Sequence, residues 1–332
     1  MEKVCRASAT VERKDRVIRQ LTVTREDVVK AGERIAGAVE RTPFVASEIN
    51  GIRVWLKCEC LQTGNSFKLR GASNRLLQLT REERERGVVA FSSGNHARGV
   101  AMAANRLGIR AVIVMPADAP KVKVAGTAAE GAEIVFFDRL TESREEIAAR
   151  IAGETGATVV PSYDDPHIVA GQGTTGLEIV EQLGRSPPRI VIPCGGGGLA
   201  SGISLAVPEA KIVVAEPVGW DDMIQSLKTG EVVPVGPNPP PTLCDAIQTL
   251  RAADLTFGIL KRRNARGAAV SDAEVEDAIR FAWDKHQQIV EPGGAAGLAA
   301  VLRGKVEPVE DTVIVLSGGN IDPALHARIV GS

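Results

Sequence analysis

Short β-branched runs alternate with helical stretches along almost the whole of this 332-residue chain, and that alternation restricts the fold more than any single motif. Residues 54–58, 88–91, 111–115, 133–137, 158–160, 189–192, 211–215 and 312–316 read as strands, with helix-forming segments between them. Strand, helix, strand is a βαβ unit, so the chain predicts an α/β architecture with a mainly parallel sheet. Thr24, followed by Asp27, predicts a capped helix running to Ala38. Helices are also predicted from a turn at Lys68 to about Leu79, from His96 to Leu107, and over residues 142–155, 171–183, 199–206, 272–287 and 297–302. The proline-rich stretch 233–241 reads as a loop.

Three strand ends run into loops of Gly, Ser and Asn. Gly195, Gly196, Gly197 and Gly198 follow one β run and precede a helix. Glycines there let backbone N–H groups converge on an anion, and the helix terminus adds partial positive charge, so a phosphate is the natural guest. Gly195, Gly197 and Ala200 also fit a dinucleotide fingerprint, with Glu216 ending the next strand where it would hold a ribose; a plain tight turn is the third reading. Ser92-Ser93-Gly94-Asn95-His96 offers hydroxyl and amide groups to a carboxylate, or simply caps a helix. Ser317-Gly318-Gly319-Asn320 is the third loop. Ligands of open parallel sheets gather at the carboxyl ends of strands, so the three loops are expected to face one crevice. Lys68 stands beside an Arg and a Gly. Alone it is most simply a solvated charge, but a desolvated pocket would strip its proton near neutral pH and make it a nucleophile.

With 40 basic and 41 acidic residues the formal net charge is −1, and no global field favours nucleic acid or an anionic membrane. Aromatics are only 3% while glycines number 34, which suits close helix–sheet packing. No apolar run approaches the ~20 residues of a membrane span. Residues 1–20 carry Lys3, Arg6, Arg13, Lys14, Arg16 and Arg19, lack the apolar core of a signal peptide, and read as a mobile extension. Five cysteines, an odd number without metal-type spacing, predict a reducing cytoplasm, with Cys58 and Cys60 as core or half-buried thiols.

Six ordered segments now carry a resemblance: 66–72 (Ser-Phe-Lys-Leu-Arg-Gly-Ala), 92–96, 170–174 (Ala-Gly-Gln-Gly-Thr), the four glycines, 291–296 (Glu-Pro-Gly-Gly-Ala-Ala) and 316–320 (Leu-Ser-Gly-Gly-Asn). Over about residues 24–325 the chain resembles the fold-type II pyridoxal-phosphate enzymes, and within them the serine/threonine dehydratase and serine racemase group. The resemblance implies a tryptophan-synthase-β-like α/β fold. A large cofactor-binding domain would take residues 21–86 and 165–332, and a smaller mobile domain residues 87–164. It implies pyridoxal 5′-phosphate attached to Lys68 as a Schiff base, Phe67 beside the ring, Asn95 on the 3′-oxygen, Gly195, Gly196, Gly197 and Gly198 around the phosphate, and Ser317 at the pyridine nitrogen. A hydroxyl there leaves that nitrogen largely unprotonated, which suits β-elimination.

Ser92, Ser93, Asn95 and His96 would bind the substrate carboxylate. Lys68 would be the general base, and Ser93 a second acid/base on the opposite face, as in serine racemases and 3-hydroxyaspartate dehydratases. Glu216, the Trp220 carbonyl and Asp222 match the racemase-type cation site, whose oxygen ligands suit Mg²⁺ or Ca²⁺. Asn65, Arg98, Tyr163 and Gly293 depart from the group's pattern around the substrate. The implied activity is dehydration of a β-hydroxy amino acid to a 2-oxo acid and ammonia by a cytoplasmic homodimer. Substrates would be L-threonine, L-serine, 3-hydroxyaspartate, phenylserine or a hydroxyectoine-derived relative, with neither nucleic acid nor membrane as a partner. A racemase with side elimination is the alternative; an NAD-binding dehydrogenase and a non-catalytic ligand-binding relative stand further off. The short remainder after Ser317 leads to the expectation of no C-terminal regulatory domain.

Overall fold

The computed structural model describes residues 22–331 apart from 93, 120 and 139. The leader at 1–20 therefore lies outside the described residues. Thr24 and Asp27 close the predicted capping box at the head of α1 (Arg25–Ile35), which stops short of Ala38. A hairpin follows, β1 (Phe44–Ile49) and β2 (Ile52–Cys58), of which the sequence predicts only the second strand. Its turn is Asn50-Gly51 at φ 54° and 75°, the residue pair a two-residue hairpin turn demands. Then come α2 (Lys68–Leu77) and α3 (Arg81–Arg86). The next block is β3 (Val88–Phe91), α4 (Asn95–Arg106), β4 (Ala111–Pro116), α5 (Lys121–Ala128), β5 (Glu133–Phe137), α6 (Arg144–Thr155) and β6 (Thr158–Val159). The chain continues through α7 (Pro166–Leu183), β7 (Arg189–Pro193), α8 (Gly198–Ala206), β8 (Lys211–Pro217), α9 (Asp222–Thr229) and α10 (Asp254–Arg262). It ends through β9 (Arg266–Val270), α11 (Asp272–His286), α12 (Pro292–Leu302), β10 (Thr312–Leu316) and α13 (Pro323–Val330).

The strands form two sheets. One has six strands in the order β1-β2-β10-β7-β8-β9, the other four in the order β5-β4-β3-β6, all drawn from the block between α3 and α7. Apart from the β1–β2 hairpin every pairing is parallel, as the βαβ alternation predicts. Side chains of a strand alternate between faces, and the core follows that period. Ile190, Ile192, Val313 and Val315 pack with residues of α1, α7, α8 and α10 on one face of the larger sheet, while Val191, Ile314 and Leu316 pack with α11 and α12 on the other. Among the described residues no helix is long and apolar enough to cross a membrane.

Ala170-Gly171-Gln172-Gly173-Thr174 lies in the middle of α7 rather than before it. The helix starts earlier because Asp165 caps it, accepting from the amides of His167 and Ile168 at 2.8 and 2.9 Å ahead of a first-turn proline. The glycines serve contact. A Cβ on Gly171 would lie 2.7 Å from the Arg70 carbonyl, and one on Gly173 2.7 Å from that of Gly202. The helices α2 and α8 thereby meet α7 at backbone distance, which brings their heads, at Lys68 and Gly198, to one end of the packing. Charge braces the same junction. Arg70 donates to both Glu59 oxygens at 2.7 and 2.8 Å and to Glu178 at 2.6 and 3.0 Å; Lys57 donates to Glu178 at 2.5 Å and to Gln182 at 2.9 Å. Arg70, Lys57 and Glu59 are fully buried, a state ions tolerate only when paired and hydrogen-bonded.

Candidate active site

The loops after β3, β7 and β10 line one cavity of about 360 Å³, with Phe67, Lys68, Ser92, Asn95, His96, the four glycines and Ser317 in its wall. The crevice predicted from the strand ends is therefore present; Ser93 lies outside the described residues. Lys68 is not on a turn but is the first residue of α2, because Phe67 before it already has helical backbone angles. Its Nζ donates to the Ser162 carbonyl at 3.1 Å and stands 5.1 Å from the centroid of the Phe67 ring. Burial draws this amine down to about 8, against the opposing pull of Glu291, so a usable fraction is unprotonated near neutrality.

Two helix heads open into the cavity without a side-chain cap. Gly198 begins α8 after Gly197, which takes a φ of 84°. The Tyr163 ring occupies the space a Cβ on Gly196 would need, and Thr256 Oγ1 donates to the Gly196 carbonyl at 2.7 Å. Asn95 begins α4 after Gly94, whose amide donates to Ser92 Oγ at 3.2 Å. Uncapped heads leave free N–H groups and partial positive charge, a receptor for anions. Ser317 ties β10 to α2, its carbonyl accepting from the Phe67 amide at 3.3 Å.

His96 departs from its expected part. It is 2% exposed, its Nε2 donates to the Val160 carbonyl at 2.9 Å, and its Nδ1 has no hydrogen-bond partner. Burial and the nearby Lys68 charge draw it down to about 3, so the ring is neutral. A neutral imidazole with its donor spent has no N–H left to offer a carboxylate, whereas the amides at the head of α4 carry no side-chain cap.

Glu216 and Asp222 stand outside the cavity wall, behind the glycine loop. Glu216 falls within β8 rather than at its end and accepts from the amides of Met223 and Ile224 at 3.2 and 2.8 Å. Both Asp222 carboxylate oxygens are buried with no well-formed hydrogen bond, only the amides of Asp222 itself and Ala252 reaching toward them, and burial pushes that group up to about 7. Glu216 is pushed well above the carboxylate range by burial and by the Asp222 charge. Among the described residues no three His, Cys, Asp or Glu side chains converge on a point, so a cation here would need backbone oxygens as well. The Trp220 indole donates to the Pro240 carbonyl at 2.8 Å.

A family model described as pyridoxal-phosphate dependent enzyme matches residues 35–318. The chain belongs to that family. Among its relatives, an L-threo-3-hydroxyaspartate ammonia-lyase of a Pseudomonas species is 41% identical, the match covering 92% of this chain and 97% of the relative. An L-threonine ammonia-lyase of Thermotoga maritima is 42% identical over 93% of this chain and 78% of the relative. The solved structure of maize serine racemase superposes with a TM-score of 0.87 at 36% identity, covering 92% of this chain and 96% of that one. The fold is therefore that of the fold-type II enzymes, as the resemblance implies, and the dinucleotide reading of the glycine loop falls with the dehydrogenase alternative.

Pyridoxal phosphate is the cofactor of this family, and the residues present fit it. A buried, weakly basic amine faces an uncapped, glycine-built helix head across one cavity. Sequence reasoning missed four participants. Glu291 lies within a motif that carries the resemblance but has no role assigned from it, while Thr256, Arg144 and Asp245 reach the site through tertiary folding that no local pattern announces.

Proposed function

We propose that this enzyme dehydrates a β-hydroxy amino acid to a 2-oxo acid and ammonia. The observation that carries the reading is Lys68, a buried amine drawn down to about 8 in the same cavity as two uncapped helix heads. Bound pyridoxal phosphate would supply the electron sink that makes the substrate's Cα proton labile. The amides of Gly195, Gly196, Gly197 and Gly198 would hold its phosphate, Phe67 would flank its ring, and Asn95 and Ser317 would meet its 3′-oxygen and pyridine nitrogen. Lys68 Nζ takes the Cα proton as general base, and the amides at the head of α4 hold the substrate carboxylate. The β-hydroxyl departs as water, and water then hydrolyses the resulting imine, so the net products are a 2-oxo acid and ammonia.

Arg144 stands in the cavity wall over Phe91, 5.6 Å from its ring, and donates to Glu145 at 2.9 Å; exchanging that partner would offer a cation to a second carboxylate. With a hydroxyaspartate ammonia-lyase among the relatives, 3-hydroxyaspartate leads the candidate substrates, followed by threonine, serine, phenylserine and a hydroxyectoine-derived acid. Racemisation is the second reading, favoured by the likeness to maize serine racemase and requiring Ser93 as the opposing acid/base; turnover of D-isomers checks it. We also assign Mg²⁺ or Ca²⁺ to Glu216, Asp222 and the Trp220 carbonyl, because the two buried carboxylates repel one another and no side chain donates to Asp222. Residues 87–164, which carry their own sheet, serve as the movable unit. A homodimer is the assembly we infer from the family resemblance, which light scattering would detect. The four described cysteines are free and buried, which fits the cytoplasm.

A panel of β-hydroxy amino acids assayed for 2-oxo acid tests the activity. Lys68→Ala should cut turnover by ~10²-fold or more and remove the cofactor band near ~410–420 nm while circular dichroism stays unchanged. Borohydride reduction should label Lys68; a label on Lys57 or Lys121 instead would sink the assignment.

A further inference from the structure

Glu291 has no task in the reading above, yet it sits at the head of α12 in the cavity wall at 4% exposure. Burying a carboxylate is costly unless it is well bonded. Its Oε1 accepts from Asn95 Nδ2 at 2.6 Å, and Gly318 backs it so closely that a Cβ there would overlap that oxygen. Asn95 is pinned from its other end: Oδ1 accepts from Asn320 Nδ2 at 2.7 Å. Asn320 in turn donates to the Gly64 carbonyl at 2.9 Å and accepts from Arg98 Nη1 at 3.3 Å. One of the two Asn95 amide hydrogens is thus spent on Glu291, and the other remains for a guest. Turning the amide over would set Oδ1 against a carboxylate and Nδ2 against another donor, so an ionised Glu291 permits a single orientation.

The charged and titratable groups facing Glu291 come from three places: Lys68 on α2, Lys123 on α5, and Asp245 with the Cys244 thiol on the loop before α10. Burial and then the Asp245 charge push Glu291 up to about 7, while the Asn95 hydrogen bond, Lys123 and the Asn320 backbone N–H pull it down. Burial pushes the Cys244 thiol up to about 12, so it stays neutral. Lys123 forms an ion pair with Asp245, joining the unit of the smaller sheet to that of the larger.

We propose that Glu291 is a positioning residue that turns the Asn95 amide hydrogen toward the cofactor, and that the Lys123–Asp245 ion pair governs its charge. The proposal rests on the reading of this cavity as the cofactor site. With Lys123 seated on Asp245, the acidic field on Glu291 is offset, the carboxylate ionises and the amide is locked. With the pair broken, Asp245 favours a proton on Glu291 and the lock loosens. Engagement of the two units is thereby linked to one proton beside the cofactor.

The test is a pH titration of the visible band of the full-length enzyme loaded with pyridoxal phosphate. Absence of any band in the parent protein overturns the cofactor reading and this inference with it. With the band present, it should pass through a one-proton transition above the ordinary carboxylate range, in the direction burial pushes Glu291. Glu291→Gln, of the same shape, should remove the transition and weaken cofactor binding in equilibrium dialysis on the order of tenfold, as loss of one charge-assisted hydrogen bond implies. Lys123→Ala should move the transition to higher pH and Asp245→Asn to lower pH, each on the order of half a unit. A transition that survives in Glu291→Gln, or a shift in the same direction for Lys123→Ala and Asp245→Asn, overturns the inference while leaving the cofactor reading intact.

Discussion

Gly196 shows how one residue can be both legible and misread. Four consecutive glycines after a strand announce an anion loop from the sequence alone, and the structure puts them in the cavity wall. Why position 196 must be glycine is not local: the ring of Tyr163, from the loop before α7, fills the space where a Cβ would stand. Tyr163 Oη also donates to the Arg251 carbonyl at 3.3 Å, so the ring is held at both ends. Gly196→Ala should therefore destabilise the protein by about 1–3 kcal/mol through overpacking. In Gly196→Ala/Tyr163→Ala that clash is gone, so the combined loss in melting temperature should be smaller than the sum of the two single losses. Strict additivity would show that the ring is not what the glycine accommodates. His96 teaches the converse, since its motif is legible but its burial against Val160 appears only once β6 and α4 are packed together.

The helix α7 carries the junction on which the site stands. Its Glu178 is shared by Lys57 of β2 and Arg70 of α2, while its Glu181 pairs with Arg41 in solvent at 3.1 Å. Removing one partner from a buried ionic cluster leaves an uncompensated charge, so Glu178→Gln should cost about 3–5 kcal/mol in denaturant unfolding. Glu181→Gln, on the same helix, should cost less than about 1 kcal/mol. Similar costs for both would mean that Glu178 is not supporting the junction. Sequence reading finds such elements unevenly. The buried strands β3, β4, β7 and β10 stand out because they are buried on both faces and therefore nearly all apolar. The strand β9, Arg-Gly-Ala-Ala-Val at the edge of the larger sheet, has too little β-branched character to be seen and forms because β8 offers it a partner. The start of α12 at Pro292 was available from the rule that proline suits a first helical turn, but the glycines after it argue locally for a loop. Tertiary packing overrides them.

Both sheets, and the cavity between their loops, follow from the βαβ alternation; the ionic couplings that cross the molecule do not, because each joins residues with no fixed spacing. Lys123 with Asp245 is such a coupling, whereas Glu216 and Asp222, already brought together by the sequence pattern, repel one another behind the glycine loop. The latter pair gives the whole protein a pH dependence whose sign is set. Both carboxylates are raised in the folded state, Asp222 to about 7 and Glu216 well above its ordinary value. Between the ordinary carboxylate range and about 7 the folded protein thus holds protons that the unfolded chain has released. Without a cation, stability contributed by this pair falls as pH rises through that window. A divalent cation at the pair replaces those protons, so its stabilising effect grows with pH. Melting temperatures measured with a chelator, and again with added Mg²⁺ or Ca²⁺, should differ little near pH ~5.5 and clearly near pH ~8. In Asp222→Asn the cation response should vanish, and the decline with pH should flatten because one of the two repelling acids is gone. A cation response as large at the acid end as at the alkaline end, or one that persists in Asp222→Asn, would place any bound ion elsewhere in the molecule.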